Sequence, residues 1–163
     1  MKILILLLLP ISSSLPPPSL SPSLLHSLSP SLSSSAGNKF TSFAKNANWN
    51  QDLYESYIAP YYNTPLQAET WMNGANPLPS FCTPTYSYEV ENVVNATLGG
   101  ITWPETKDHS KWCVSVGSAK TVSCIGDINR QQSQEQKAGG TCCTEYVQQW
   151  KDMSAMVAKV AGC

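Results

Sequence analysis

The chain has 163 residues, with ten Lys and Arg against eleven Asp and Glu, twelve prolines and six cysteines. A formal charge of −1 and a pI near 6.1 exclude a protein that coats nucleic acid through a constitutive basic surface, although both histidines charge near pH 5 and turn the chain slightly cationic. A single 163-residue globule is excluded too, because Ser, Leu and Pro fill 23 of the 27 positions from 11 to 37 and Lys2 is the only charged residue ahead of position 38.

Residues 1–14 have the pattern of a signal peptide: Met1-Lys2, the apolar run Ile3 to Leu9, then the small residues Ser12-Ser13-Ser14. Pro10 ends the apolar run well short of the length that crosses a membrane. Residues 15–37 read as a disordered low-complexity linker, since Ser, Leu and Pro there follow no period that would bury a face. The alternative is that this leader is a gene-model artefact, untranslated sequence read as protein. Residues 38–163 form the folding unit, about 126 residues and large enough for a modest core. All six cysteines lie in it, as does one glycosylation sequon, Asn95-Ala96-Thr97, and both fit an oxidising, secretory route.

Within that unit the spacing of Leu53, Tyr54, Tyr57 and Ile58 predicts a helix from Gln51 to Ile58, capped by Asn48 or Asn50 and closed by Pro60. Strands are predicted at Ala68 to Met72, Tyr86 to Val90, Lys111 to Val116 and Lys120 to Ile125, the last two joined by a Gly117-Ser118 turn. Gly139-Gly140 reads as a plain turn, although its amides are also suited to cradling a phosphate. A final helix runs from Thr144 to about Val160, with Val147, Trp150, Met153, Met156-Val157 and Val160 as its apolar stripe. The expected fold is α/β, a mixed sheet flanked by helices.

His26 falls in the low-complexity stretch and His109 stands in Asp108-His109-Ser110-Lys111-Trp112. On a strand the i, i+2 spacing turns His109 and Lys111 to one face. An imidazole beside an ammonium suits a phosphate, because the lysine neutralises oxygens while the histidine attacks phosphorus or passes a proton. Alone, the pair reads more simply as an edge-strand histidine next to a solvated lysine. A thiol hydrolase built on Cys113 and His109 lacks a third partner. A zinc site from His109, Cys113, Cys142 and Cys143 lacks a C-x-x-C knuckle, and no His, Asp or Glu group has ligand spacing, so neither metal nor cofactor is expected.

Fifteen residues after His109, Cys124-Ile125-Gly126-Asp127-Ile128-Asn129-Arg130 follows a predicted strand. An H-x-K strand followed by a G-[SD]-x-N strand end resembles the half-site of the phospholipase D superfamily of phosphodiesterases. The wording of those two segments, with the run from Gln134 to Thr141 and the terminal Cys163, is similar to the C-terminal half of deoxyribonuclease II. Phe43-Ala44-Lys45, Asp52-Leu53-Tyr54, Ile58-Ala59-Pro60, Glu69-Thr70-Trp71 and Leu78-Pro79-Ser80 extend the resemblance across residues 38–163.

The resemblance implies a phospholipase D-like half-domain and an acid, metal-independent endonuclease acting on double-stranded DNA, lysosomal or extracellular. In that family two histidines, one from each half of a pseudo-symmetric chain, face one phosphodiester. One attacks phosphorus, the other protonates the leaving 5′ oxygen, and the product keeps a 3′-phosphate. Carried over, His109 is one of the two, Lys111 holds phosphate oxygens and Asn129 completes the half-site. Asp127 has a supporting role, standing where the wider superfamily has Ser. Val116 occupies the position of that superfamily's Asp. The resemblance also implies the disulfides Cys82–Cys163 and Cys124–Cys143, leaving Cys113 and Cys142 over; six cysteines by themselves allow fifteen pairings.

No second H-x-K precedes residue 109. Three readings follow: a truncated gene product lacking its N-terminal half, a homodimer that brings two His109 side chains together, or a non-catalytic secreted half-domain that acts as a DNA-binding or interaction module. Truncation is the preferred reading, because the family's two halves differ and their mutual surface is specific.

Overall fold

A computed structural model describes residues 27–28, 31–85 and 88–163. The expected signal peptide (1–14), His26, and Tyr86 and Ser87 of one expected strand lie outside these residues. The described chain is a mixed α/β fold built on one ten-stranded sheet. Its strands are β1 (Ser27–Leu28), β2 (Ser31–Ser33), β3 (Lys39–Lys45), β4 (Leu66–Glu69), β5 (Val90–Leu98), β6 (Ile101–Pro104), β7 (Trp112–Ser115), β8 (Ser123–Gly126), β9 (Gly139–Thr144) and β10 (Val157–Ala161). The order across the sheet is β1-β3-β9-β8-β7-β4-β5-β10, with β2 also on β3 and β6 also on β5. Only β4 and β5 run parallel, and the long excursion from Thr70 to Glu89 supplies the crossover that a parallel pair requires. Ser31–Ser33, inside the stretch expected to be linker, is an exposed strand paired with β3.

The helix expected over Gln51 to Ile58 is longer and differently built. A π-helical turn, Tyr54–Ile58, runs directly into α1 (Ala59–Tyr62). Asp52 caps it, not Asn48 or Asn50: its Oδ1 accepts from the backbone N–H of Tyr54 and of Glu55, both at 2.9 Å. Pro60 does not close it. The wide π turn ends there, Pro60 occupies the first turn of α1 where its missing N–H costs little, and Asn63 in the left-handed region makes the stop.

The two faces of the sheet are covered unequally. The π/α1 segment packs on one face, over Phe43, Leu66, Ala68, Val90, Val122 and Cys124. The opposite face carries a smaller core, in which Met153 of α3 (Val147–Ser154) packs with Val93, Ala96, Trp112 and Val114. Beyond α3 that face is open, and Ile125 on β8 is 58% exposed. The expected single helix to Val160 is corrected: it begins at Val147, ends at Ser154, and the chain returns as β10 against β5. Gly139-Gly140 opens β9 and is no turn. A Cβ on Gly140 would sit 2.1 Å from the Phe43 carbonyl oxygen, so β3 and β9 approach there only because the side chain is absent.

Disulfides join Cys82 to Cys163 and Cys124 to Cys143. Cys113, Cys124 and Cys143 form a row across β7, β8 and β9. Cys113 is a buried free thiol and Cys142, on the other face, an exposed one. Among the described residues no helix is long and apolar enough to cross a membrane.

Candidate active site

His109 and Lys111 stand in the loop that enters β7, not on the strand itself. Asp108 shapes the loop. Its Oδ1 accepts from the Ser110 N–H and its Oδ2 from the Trp103 indole N–H, each at 2.8 Å. Burial opposes the charge on Asp108, yet these donors hold its carboxyl below the usual range. Lys111 donates to the carbonyl oxygen of His109. Partial burial lowers the Lys111 ammonium, against the pull of Asp108, Asp127 and Glu69. Both side chains line one cleft of about 360 Å³ with Trp112, Ile125, Gly126 and Met153.

The His109 imidazole has no hydrogen-bond partner among the described residues. Its ring lies on Trp71, with centroids 4.6 Å apart and planes 23° from parallel. Trp71 is held in turn by Asn129, which is 9% exposed and accepts the Trp71 backbone N–H at 3.2 Å through Oδ1. Asn129 therefore reaches His109 through Trp71, while Lys111 shares its cleft directly.

The segment from Asp127 to Gln131 is tied on every side. Asp127 accepts the Gly140 N–H at 2.8 Å, so this carboxylate joins β8 to β9 and the Gly140 amide is already engaged. The Tyr54 hydroxyl donates to the Ile128 carbonyl at 2.7 Å, and the Arg130 N–H to Thr70 Oγ1 at 3.2 Å. Arg130 is wholly buried. Its Nη2 meets Glu55 at 2.6 Å, its Nε lies 3.5 Å from Asp52, and Nη1 bonds Asn92 at 2.5 Å.

Sequence reasoning assigned no role to Glu69 or Trp71. Glu69 ends β4 opposite Trp112, is fully buried, and neither carboxyl oxygen has a hydrogen-bond partner. Burial, followed by Asp108 and Glu105, pushes it up to about 8, with Lys111 pulling the other way. Glu69-Thr70-Trp71 carried part of the family resemblance, but nothing in the local pattern marked the Glu69 carboxyl as buried, since a strand-end Glu is ordinarily solvated. Among the described residues no group of three or more His, Cys, Asp or Glu side chains converges as metal ligands would. Asn95, the sequon residue, is half-buried in mid-β5 with Pro104 and Lys159 opposite it.

The deoxyribonuclease II family matches residues 19–163. The chain belongs to the deoxyribonuclease II family. It is 40% identical over 133 residues to plancitoxin-1 of Acanthaster planci, covering 81% of this chain and 37% of that one. It is 36% identical over 135 residues to deoxyribonuclease-2-alpha of Mus musculus, with the same two shares. Deoxyribonuclease-2 of Caenorhabditis elegans is 39% identical over 129 residues, covering 78% and 34%. The chain thus spans little more than a third of the deoxyribonuclease II relatives it matches.

Proposed function

We propose that this chain supplies one half-site of an acid, metal-independent DNA endonuclease of the deoxyribonuclease II type. The observation that carries the reading is the His109 imidazole: exposed, unengaged by hydrogen bonds, and sharing a cleft with Lys111. In the proposed reaction one imidazole nitrogen attacks phosphorus and the P–O5′ bond breaks. The departing oxygen takes a proton from a second histidine, and water then hydrolyses the phosphohistidine to leave a 3′-phosphate. His109 is one of these two groups. Lys111 swings from the His109 carbonyl onto a phosphate oxygen, where its charge counts most as negative charge builds in the transition state. Asn129 completes the half-site behind them. Asp127 supports it by fixing β8 on β9. When the chain acts by itself, the second histidine comes from a second copy of it.

Chains of this kind work in a lysosome or outside the cell after passage through the secretory pathway, which two disulfides support. Asn95 is the proposed glycan site on that route, read as a mass loss on glycosidase treatment.

Plasmid nicking at pH 5 in excess chelator tests the reading. We expect nicked circles whose appearance slows at least about a hundredfold in His109→Ala. Nicking that survives His109→Ala overturns it. A folded dimer that shifts DNA without cutting it favours the non-catalytic binding module instead. Gel filtration separates dimer from monomer.

A further inference from the structure

A histidine that must present a nitrogen to phosphorus needs its ring plane fixed, because an exposed imidazole otherwise samples several rotamers. The usual device is a carboxylate or carbonyl on the far nitrogen. His109 has none among the described residues, and its one ring contact is Trp71. Trp71 itself is held at three points. Its backbone N–H donates to Asn129, its carbonyl accepts from Gln131 Nε2 at 3.4 Å, and its indole N–H donates to the Thr106 carbonyl at 3.2 Å. The first two bonds hold the main chain, and the third fixes rotation of the indole. Asp108 holds the loop on the other side of the histidine.

We propose that Trp71 is a positioning residue for the nuclease reaction, setting the plane of the His109 imidazole by stacking alone. The inference rests on the proposed function. A stack at 4.6 Å and 23° is an ordinary offset arrangement of two rings. Its chemical advantage is that no ring nitrogen is consumed. In a displacement through phosphohistidine one nitrogen takes the phosphoryl group while the other holds a proton, and a stack fixes the ring plane without covering the attacking nitrogen. Asn129 then acts partly through Trp71, which links the strand-end asparagine to the histidine.

The test replaces Trp71 by Leu, which removes the ring, and by Phe, which keeps one. The chain has only two histidines, so a His26→Gln variant assigns the imidazole resonances of His109. In Trp71→Leu we expect the His109 Cε1–H and Cδ2–H signals to lose the displacement that a stacked indole causes. The side-chain order parameter should fall below about 0.6, the range of a mobile group. Trp71→Phe should restore most of both. In nicking assays Trp71→Leu should lower kcat about tenfold to a hundredfold, the cost of a misplaced reacting group, with KM within about twofold. If Leu disturbs the amide spectrum away from the site, Trp71→Met, which is also ringless but unbranched and adapts better to the vacated space, is read in its place. Unchanged His109 signals and order parameter in the ringless variant overturn the proposal, as does a failure of Phe to restore them. A parent chain that cuts no DNA overturns the nuclease reading, and the resonance measurements still decide whether Trp71 holds the imidazole.

Discussion

Arg130 and Glu69 are both wholly buried, and they sit on opposite faces of the sheet in opposite electrostatic circumstances. The Arg130 guanidinium lies among Asp52, Glu55, Asn92 and the Pro79 carbonyl, on the face that the π/α1 segment covers. The Glu69 carboxyl lies on the other face, near Asp108, Glu105 and Lys111, and neither of its oxygens is hydrogen-bonded. Native proteins leave few buried polar groups unmatched. In the platform beneath Asp127 to Gln131 the Arg130 Nε lacks a hydrogen bond but lies 3.5 Å from the Asp52 carboxylate. Beside the loop that carries His109, by contrast, neither Glu69 oxygen is hydrogen-bonded and two more carboxylates lie near it. Departures from local consistency of this kind concentrate at functional sites. The platform supplies rigidity, and the histidine loop is where unfavourable electrostatics is tolerated.

The contrast can be broken most forcefully at Arg130. Arg130→Met leaves the buried Asp52 and the half-buried Glu55 without their cation, and we expect about 3–5 kcal/mol of lost stability in urea unfolding at pH 6. A loss below 1 kcal/mol removes the distinction between platform and loop. Glu69→Gln sharpens it from the other side. In the folded chain the carboxyl keeps its proton up to about 8, against an ordinary value of 4.5. The stability it contributes is complete below about pH 4.5 and is lost as pH rises through 8. Glu69→Gln should therefore unfold like the parent at pH 4 and be more stable by roughly 1–3 kcal/mol at pH 9. Equal midpoints at pH 9 mean the carboxyl has a partner in solution. The smallest effect concerns the free thiols. Cys142 on the open face should react with a maleimide in the folded protein, and Cys113 only after unfolding, because burial raises its thiol well above the usual range. Equal rates show that the covered face opens.

Much of the site was legible because it is local. His109, Lys111, Asp127 and Asn129 fall in two short segments whose wording marks them; β7 lies within its expected range, and β8 starts three residues late and runs one residue beyond its own. What misled was the distance between partners. Met153, Met156, Val157 and Val160 keep helical spacing, yet the last two belong to β10, because β5, some 60 residues earlier, offers a strand edge. β3 was not anticipated, since its partner β9 lies about 100 residues on and opens with two glycines that ordinarily punctuate. Pro60 suggested a stop and proved compatible with a π turn. The i, i+2 argument for His109 and Lys111 assumed a strand; the loop brings them into one cleft by another route, the Asp108 turn.

The sequence by itself determined the family, and it set the candidate side chains in their order along the chain, because these depend on residue identity within short windows. The tertiary structure alone decided what surrounds them: Trp71 against His109, Asn129 behind Trp71, Arg130 paired and Glu69 not. The physical reason is that stacking, burial and charge pairing act through space. Segments near 70, 109 and 129 meet only when β4, β7 and β8 align in one sheet, and no local pattern records that meeting.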